Sequence, residues 1–357
     1  ESAGESGWAR KAHAAYCLVL AEETGTDAAA QAAWLALCES EHANLRAAID
    51  YLIDTRQAEW AMRLSTALLP FWQSRAWLQE GRDAISRALA LSNPTEVSSI
   101  RARALFALAT IVHPLGQPEL CLELENQALD MFRTLGDLDG QAVALNAMGV
   151  TCHRLERYED ARRNLDQAVS IWQGLGREVA MVRAFANMAA VAFDDGDLLR
   201  SIELYRETRA RSERAGDAAG AAWAINGEAR VEHFRNERAK AEELYLEALR
   251  RFERIQDNWG ASDSLLALGL IAGENGDEIL SQSRMASALE VSRRVGDIRG
   301  TLRIIEGLSQ LAALKGDAGR SLTLAGAAAA WGVVHYVMRA DWVLLLNNDA
   351  TVEPGLV

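Results

Sequence analysis

The stretch Asp137–Gly176, DLDGQAVALNAMGVTCHRLERYEDARRNLDQAVSIWQGLG, decides the fold, because the chain repeats its pattern. Leu135-Gly136-Asp137, Leu175-Gly176-Arg177, Ala215-Gly216-Asp217, Ile255-Gln256-Asp257 and Val295-Gly296-Asp297 recur every 40 residues without slippage. Midway between them runs a second series: Leu115-Gly116, Glu156-Arg157, Gly196-Asp197, Asn236-Glu237, Gly276-Asp277 and Gly316-Asp317. Turns at half the period leave room for one helix of about four turns between each and the next.

The residues within the unit fit that geometry. Tyr158, Ala161, Leu165, Ala168, Trp172 and Leu175 are spaced three and four apart and share one helical face, as do Ala142, Leu145, Met148 and Cys152 upstream. Each unit is therefore predicted to be an antiparallel helix pair. Three columns read at 40-residue steps stay mostly small. They are Ala109, Gly149, Ala189, Ala229, Gly269, Ser309; Gly81, Cys121, Ala161, Ser201, Ala241, Ser281, Ser321; and Ala88, Ala128, Ala168, Thr208, Ala248, Ala288, Ala328. Helix axes about 8–10 Å apart demand small side chains where they cross.

A Gly or Ala late in the first helix, a small residue early in the second and an Ala later in it resemble the tetratricopeptide repeat, in a long-helix variant. The resemblance implies an all-α, right-handed superhelical solenoid of antiparallel helix pairs. The predicted organisation is an N-terminal helical lead-in over 1–56, an array over 57–331 and an atypical tail over 332–357.

With 357 residues, half of them hydrophobic, the chain has material for two ordinary domains or one solenoid, and the unbroken period favours the solenoid. A net charge of -13 argues against a nucleic-acid-binding surface, which needs clustered Lys and Arg. Cys17, Cys38, Cys121 and Cys152 form no CxxC pair and read as reduced core residues of a cytoplasmic protein. No apolar run approaches the roughly 20 residues of a membrane helix. The first residue is Glu1 rather than Met, so a piece of something longer is expected.

Upstream of the array, residues 8–23 form a predicted helix with Trp8, Ala12, Tyr16 and Val19 on one side, and Leu45, Ala48, Ile49 and Leu52 make a second stripe. Glu41–Leu52 (EHANLRAAIDYL), Leu68-Leu69-Pro70-Phe71-Trp72, Leu78-Gln79-Glu80-Gly81-Arg82 and Ala88-Leu89 resemble the start of the helical-repeat region in bacterial signal-transduction ATPases and multidomain transcriptional regulators. That resemblance implies a repeat region that senses an inducer or partner for an upstream ATPase. Ala76 stands where the family pattern has Gly, so a looser turn is expected there. No GxxxxGK[ST] loop occurs in these residues, so they are assigned no nucleotide hydrolysis.

Beyond Trp331 the pattern changes. Asp341-Trp342-Val343-Leu344-Leu345-Leu346 reads as a short strand ended by Asn347-Asn348-Asp349, and resembles the strand and acidic motif of family-two glycosyltransferases. That resemblance implies a role for Asp349 in holding the metal and diphosphate of a nucleotide sugar. Such enzymes need several parallel strands upstream, and here helical repeats fill that space; a fusion or mis-joined sequence accounts for the tail.

Catalytic and metal readings of the repeats fail on geometry. His113, His153 and His233 share a column, yet equivalent positions in successive repeats lie on the order of 10 Å apart, whereas zinc needs each nitrogen at about 2.0–2.1 Å. Cys152 and His153 are adjacent and point about 100° apart on a helix. Asp194-Asp195-Gly196-Asp197 misses the calcium-loop spacing and reads as a turn in which Asp197 caps the next helix. No cofactor is expected.

Binding remains. In tetratricopeptide superhelices the first helix of each pair lines the concave face, which by resemblance places Arg103, Phe106, His113, Val143, Asn146, His153, Arg154, Arg183, Trp223, Asn226, Arg230 and His233 inward. Asn amides bond a peptide backbone, Arg pairs with carboxylates and Trp223 supplies an apolar anchor. The expected function is a non-enzymatic protein- or peptide-binding regulatory scaffold. A small-molecule inducer site, a glycosyltransferase fragment and an inert spacer are the alternatives.

Overall fold

The computed structural model describes residues 3–24, 28–294 and 298–333. The chain divides into two compact units, Glu1–Arg177 and Glu178–Val357. The first holds α1 (Ala3–Glu22), α2 (Ala28–Ser40), α3 (His42–Asp54), α4 (Ala58–Ala67), α5 (Leu69–Ser74), α6 (Leu78–Ala90), α7 (Ser99–Val112), α8 (Pro118–Leu135), α9 (Leu138–Arg154) and α10 (Tyr158–Leu175). The second holds α11 (Glu178–Asp194), α12 (Leu198–Ala215), α13 (Ala218–Phe234), α14 (Arg238–Ile255), α15 (Asn258–Glu274), α16 (Glu278–Arg294), α17 (Ile298–Leu314) and α18 (Ala318–Val333). Among the described residues there is no strand, and helices pack in consecutive pairs such as α9 with α10 and α13 with α14.

The turns keep time. Left-handed backbone occurs at Arg56, Ala76, Gly116, Gly136, Glu156, Gly176, Gly196, Gly216, Asn236, Gln256, Gly276 and Gly316, with φ running from 54° at Ala76 to 87° at Gly196. The cause is helix termination. At the end of α8 the Gly136 N–H bonds the Arg133 carbonyl and the Asp137 N–H bonds that of Phe132 at 2.9 Å, satisfying carbonyls that the helix leaves open. A looser turn is expected at Ala76, but it takes the same left-handed conformation as the glycines, its N–H bonded to the Gln73 carbonyl at 3.3 Å. The beat fails at residue 96, after the Pro94 link, where the buried Arg101 instead donates to the Leu89 carbonyl (3.3 Å) and to Ser92 Oγ.

Several helices of the array start on an Asp side-chain cap. Asp137, Asp217 and Asp257 accept from the N–H of Gly140, Gly220 and Gly260 at 2.9, 2.9 and 3.0 Å. Asp197 does the same for α12 through Arg200 N–H, as its sequence context predicted.

The small columns mark the crossings. Ala161, Ala168, Ala189, Ala229, Ala241, Ala248 and Ala288 are fully buried. At three polar positions of the second column the side chain reaches the partner helix's backbone. Cys121 donates to the Ala109 carbonyl (3.3 Å), Ser201 to that of Ala189 (2.8 Å) and Ser281 to that of Gly269 (2.8 Å). Gly149 leaves no space for a Cβ, which would stand 2.6 Å from Leu165 Cγ.

Two expectations near the N-terminus change. The Trp8, Ala12, Tyr16, Val19 side of α1 faces out, with Trp8 75% exposed; the helix buries Ala14, Cys17, Leu18 and Ala21 instead. The sequence over 57–96 makes three helices rather than a pair, because Pro70 has no N–H to continue α4 and a second helix, α5, restarts with Pro70 in its first turn. The four cysteines are buried and free, as expected. The proposed strand Asp341–Leu346 and Asp349 lie outside the described residues.

Candidate functional site

In unit 2 the odd-numbered helices touch one another in sequence, α11 to α13, α13 to α15 and α15 to α17, whereas no two even-numbered helices make comparable contact. A layer whose members touch, backed by one whose members splay, is the inner layer of a curved array. Its second helix, α13, presents Trp223, Gly227, Arg230 and Phe234 at spacings of four, three and four, hence on one stripe. Trp223 is 41% exposed and Phe234 70% exposed.

These side chains are held from below. Trp223 donates its indole N–H to Asp257 (3.0 Å) and packs edge-on to Phe252, ring centroids 4.9 Å apart. Arg230 lies over the Phe193 ring, 4.8 Å from its centroid, and donates to the Tyr205 hydroxyl oxygen at 3.2 Å. Phe234 meets Phe193 edge-on at 5.3 Å. Burial pushes the Tyr205 hydroxyl's pKa up, keeping it a neutral hydrogen-bonding group.

Other predicted residues are committed to the fold. Asn226 is 4% exposed, and its amide donates to Asp263 (3.0 Å) and Ser264 (3.3 Å) in the next repeat. His233 sits 3.0 Å from Glu274, which also takes Arg238 at 3.1 Å. Arg183 is exposed on α11 and has no ion-pair partner among the described residues.

In unit 1, Arg103 is exposed on α7 with Phe106 half-buried beside it. His113 sits in a 3₁₀ turn (His113–Leu115) made by Pro114, and its carbonyl accepts from Arg154 at 3.3 Å. On α9, Val143 and Asn146 are half-buried, and the His153 ring lies 6.1 Å from that of Tyr158. Among the described residues no cluster of His, Cys, Asp or Glu is arranged to hold a metal ion.

Deeper in this unit a buried polar knot joins three helices. Glu125 accepts from Thr151 Oγ1 (3.1 Å) and from the Cys121 thiol (3.4 Å), while His113 Nδ1 lies 3.9 Å from that sulfur. Burial pushes Cys121 up to about 12, with the Glu125 charge adding to it, and pushes Glu125 itself up to about 7. A thiol so placed stays protonated and is no nucleophile.

Sequence reasoning missed Phe193, Tyr205 and Phe234, the platform beneath and beside Arg230. It also missed Asp257, Asp263 and Glu274, which engage the predicted Trp223, Asn226 and His233. A signal existed for Asp263: one repeat further on stands Arg303, and the two form an ion pair.

Residues 100–174 and 180–254 match the family described as Tetratricopeptide repeat. Those two segments are tetratricopeptide repeats. Solved structures carry the likeness beyond them. A Rap protein complexed with competence and sporulation factor superposes with a TM-score of 0.62 at 12% identity, covering 92% of this chain and 98% of that one. Aspartyl phosphate phosphatase F from Bacillus subtilis gives 0.62 at 12% identity, over 93% and 95%. The Rap conjugation gene regulator of plasmid pLS20, in complex with the Phr* peptide, gives 0.58 at 14%, over 77% and 76%. At such identities the likeness is one of fold. No curated protein sequence matches this chain. Among the described residues no helix is long and apolar enough to cross a membrane.

Proposed function

We propose that the protein is a non-catalytic recognition module of a larger bacterial regulatory protein, and that the exposed stripe of α13 receives a peptide segment of its partner. The carrying observation is the placement of Trp223 and Phe234. Both are large, aromatic and solvent-exposed on the inner layer of unit 2, where an isolated array would gain by covering them. They stand 11 positions apart on α13, about 16 Å along its axis, which an extended peptide of about five residues spans. Two of the structures sharing the fold contain a bound factor or peptide, which is consistent with this reading. The resemblance of Glu41–Leu52 and the segments after it to regulatory ATPases supports a sensor role beside an effector domain.

The test is selection from a phage-displayed random peptide library on the full chain, with a Trp223→Ala/Phe234→Ala variant as the counter-selection. Binders that the wild type retains and the variant loses by roughly tenfold or more support the assignment. Binders retained equally by both place the site elsewhere, and an absence of binders refutes peptide recognition.

A further inference from the structure

We infer that Arg209, Glu213, Glu247 and Arg251 form a salt-sensitive clip that sets the separation of α12 and α14, and with it the footing of α13 between them.

The clip spans a gap. In unit 2 the outer helices diverge: α12 and α14 each pack extensively on α13 but make no comparable contact with one another. Backbone packing therefore does not fix their separation directly, and long side chains must cross. Arg209 reaches Glu213 on its own helix at 3.2 Å and Glu247 on α14 at 2.9 Å. Arg251 reaches Glu247 on its own helix at 2.8 Å and Glu213 on α12 at 3.0 Å. Each guanidinium thus holds both carboxylates and each carboxylate both guanidiniums, which closes a ring.

Sequence order builds it. α12 carries Arg and, four residues on, Glu; α14 carries Glu and, four residues on, Arg. Both are second helices of their repeats and run the same way, so opposite charges meet side by side as well as along each helix. Val169 and Gln173 one repeat back, and Ser287 and Val291 one repeat on, replace half of the four charges, and no ring can close there. Between α14 and α16 the tie is the pair Arg284–Glu242 at 3.0 Å. The full clip falls on the two repeats that flank the Trp223 and Phe234 stripe.

Its exposure makes it responsive. The four side chains are between 29% and 44% exposed, covered enough for a network to hold and open enough for ions to reach it. Burial raises the pKa of the Glu213 carboxyl, and the guanidiniums of Arg209 and Arg251 more than offset this, leaving it below its ordinary value. At 1 M salt the screening length falls to about 3 Å, the scale of the contacts themselves.

The test places nitroxide labels on an Ala210→Cys/Arg250→Cys chain, at two exposed positions one repeat apart on α12 and α14; the four native cysteines are buried. Their distance is read by electron paramagnetic resonance with the ring intact, in Arg209→Gln/Arg251→Gln, and with all four charges exchanged (R209E, E213R, E247R, R251E). Circular dichroism confirms the helical signal of each. The expected result is a lengthening of about 1–2 Å, the scale of helix shifts at interfaces, in the Gln variant. The exchanged ring should restore the original distance. Raising salt to 1 M should lengthen the distance in the intact and exchanged rings and leave the Gln variant unchanged. Equal distances with and without the ring overturn the inference, as does a salt response that the Gln variant shares. Failure of the exchanged ring to restore the distance overturns it too. None of these outcomes depends on what α13 binds.

Discussion

In unit 1 the carboxylate of Glu125 is 3% exposed and meets only a hydroxyl and a thiol, whereas in unit 2 Glu228 and Glu232, at 5% and 0%, meet cations. Arg206 reaches Glu228 at 2.8 Å, Arg235 reaches Glu232 at 3.0 Å, and Lys240 closes on the same carboxylate. The two cases separate burial from pairing. Glu125 occupies a position that in neighbouring repeats is Ile85, Leu165, Tyr205, Tyr245 and Met285, all buried and none of them acidic. With no cation at hand, loss of water dominates, and the carboxyl holds its proton up to about pH 7. Glu228 and Glu232 lie on α13, where long stems from α12 (Arg206), from the turn after α13 (Arg235) and from α14 (Lys240) deliver a charge.

The largest expected effect tests the paired case. Arg206→Met combined with Lys240→Met leaves two buried carboxylates short of partners. Orphaned buried charges cost about 3–5 kcal/mol; since both cations are half-exposed and water can partly replace them, a loss of about 2–4 kcal/mol is expected in urea unfolding. A loss below about 0.5 kcal/mol, the scale of a surface pair, would show that the cations are ornamental and break the comparison.

The unpaired case gives the next effect. Glu125 binds its proton more tightly folded than unfolded, so its contribution is intact below about pH 4.5, where both states are protonated. It declines as the unfolded chain ionises first, and levels off once pH passes about 7. Glu125→Gln removes this slope. At pH values above the window the variant is expected to be more stable than wild type by about 1–3 kcal/mol, with the gap closing toward acid pH. Parallel urea melts across the window would detect it, and identical profiles would mean that Glu125 has a partner the geometry does not reveal.

The smallest effect is one in which the units should agree. Glu156 in unit 1 and Gln256 in unit 2 each sit at φ near 58°, where a Cβ is strained. Glu156→Gly and Gln256→Gly should each raise stability by about 0.5–1 kcal/mol, less the greater freedom glycine gives the unfolded chain. Unequal gains would show that the turns are supported differently.

The repeat was legible because its causes are local. A left-handed cap, an Asp at the next helix start and a small residue at each crossing are single-residue requirements, so counting in steps of 40 found them. Where such counting failed, long-range packing had intervened. The apolar stripe of Trp8, Tyr16 and Val19 has the period of a buried face, yet α1 buries its opposite side. Periodicity states that a face exists and not what covers it. Of the candidate site the sequence shows spacing and not state. Trp223, Asn226, Arg230 and His233 share one helical phase, and only their neighbours separate Asn226, consumed by Asp263, from Arg230, stacked on Phe193.

Alone, then, the sequence determined that the repeats are helix pairs, where the turns of the regular 40-residue array fall, and which columns stay small, because backbone conformation and close helix contact constrain each residue type on the spot. Tertiary structure decided which charges are neutralised, which aromatics remain bare and which carboxyl keeps its proton. Those properties depend on the distance and solvent access of side chains brought together from different helices, and no single repeat contains them.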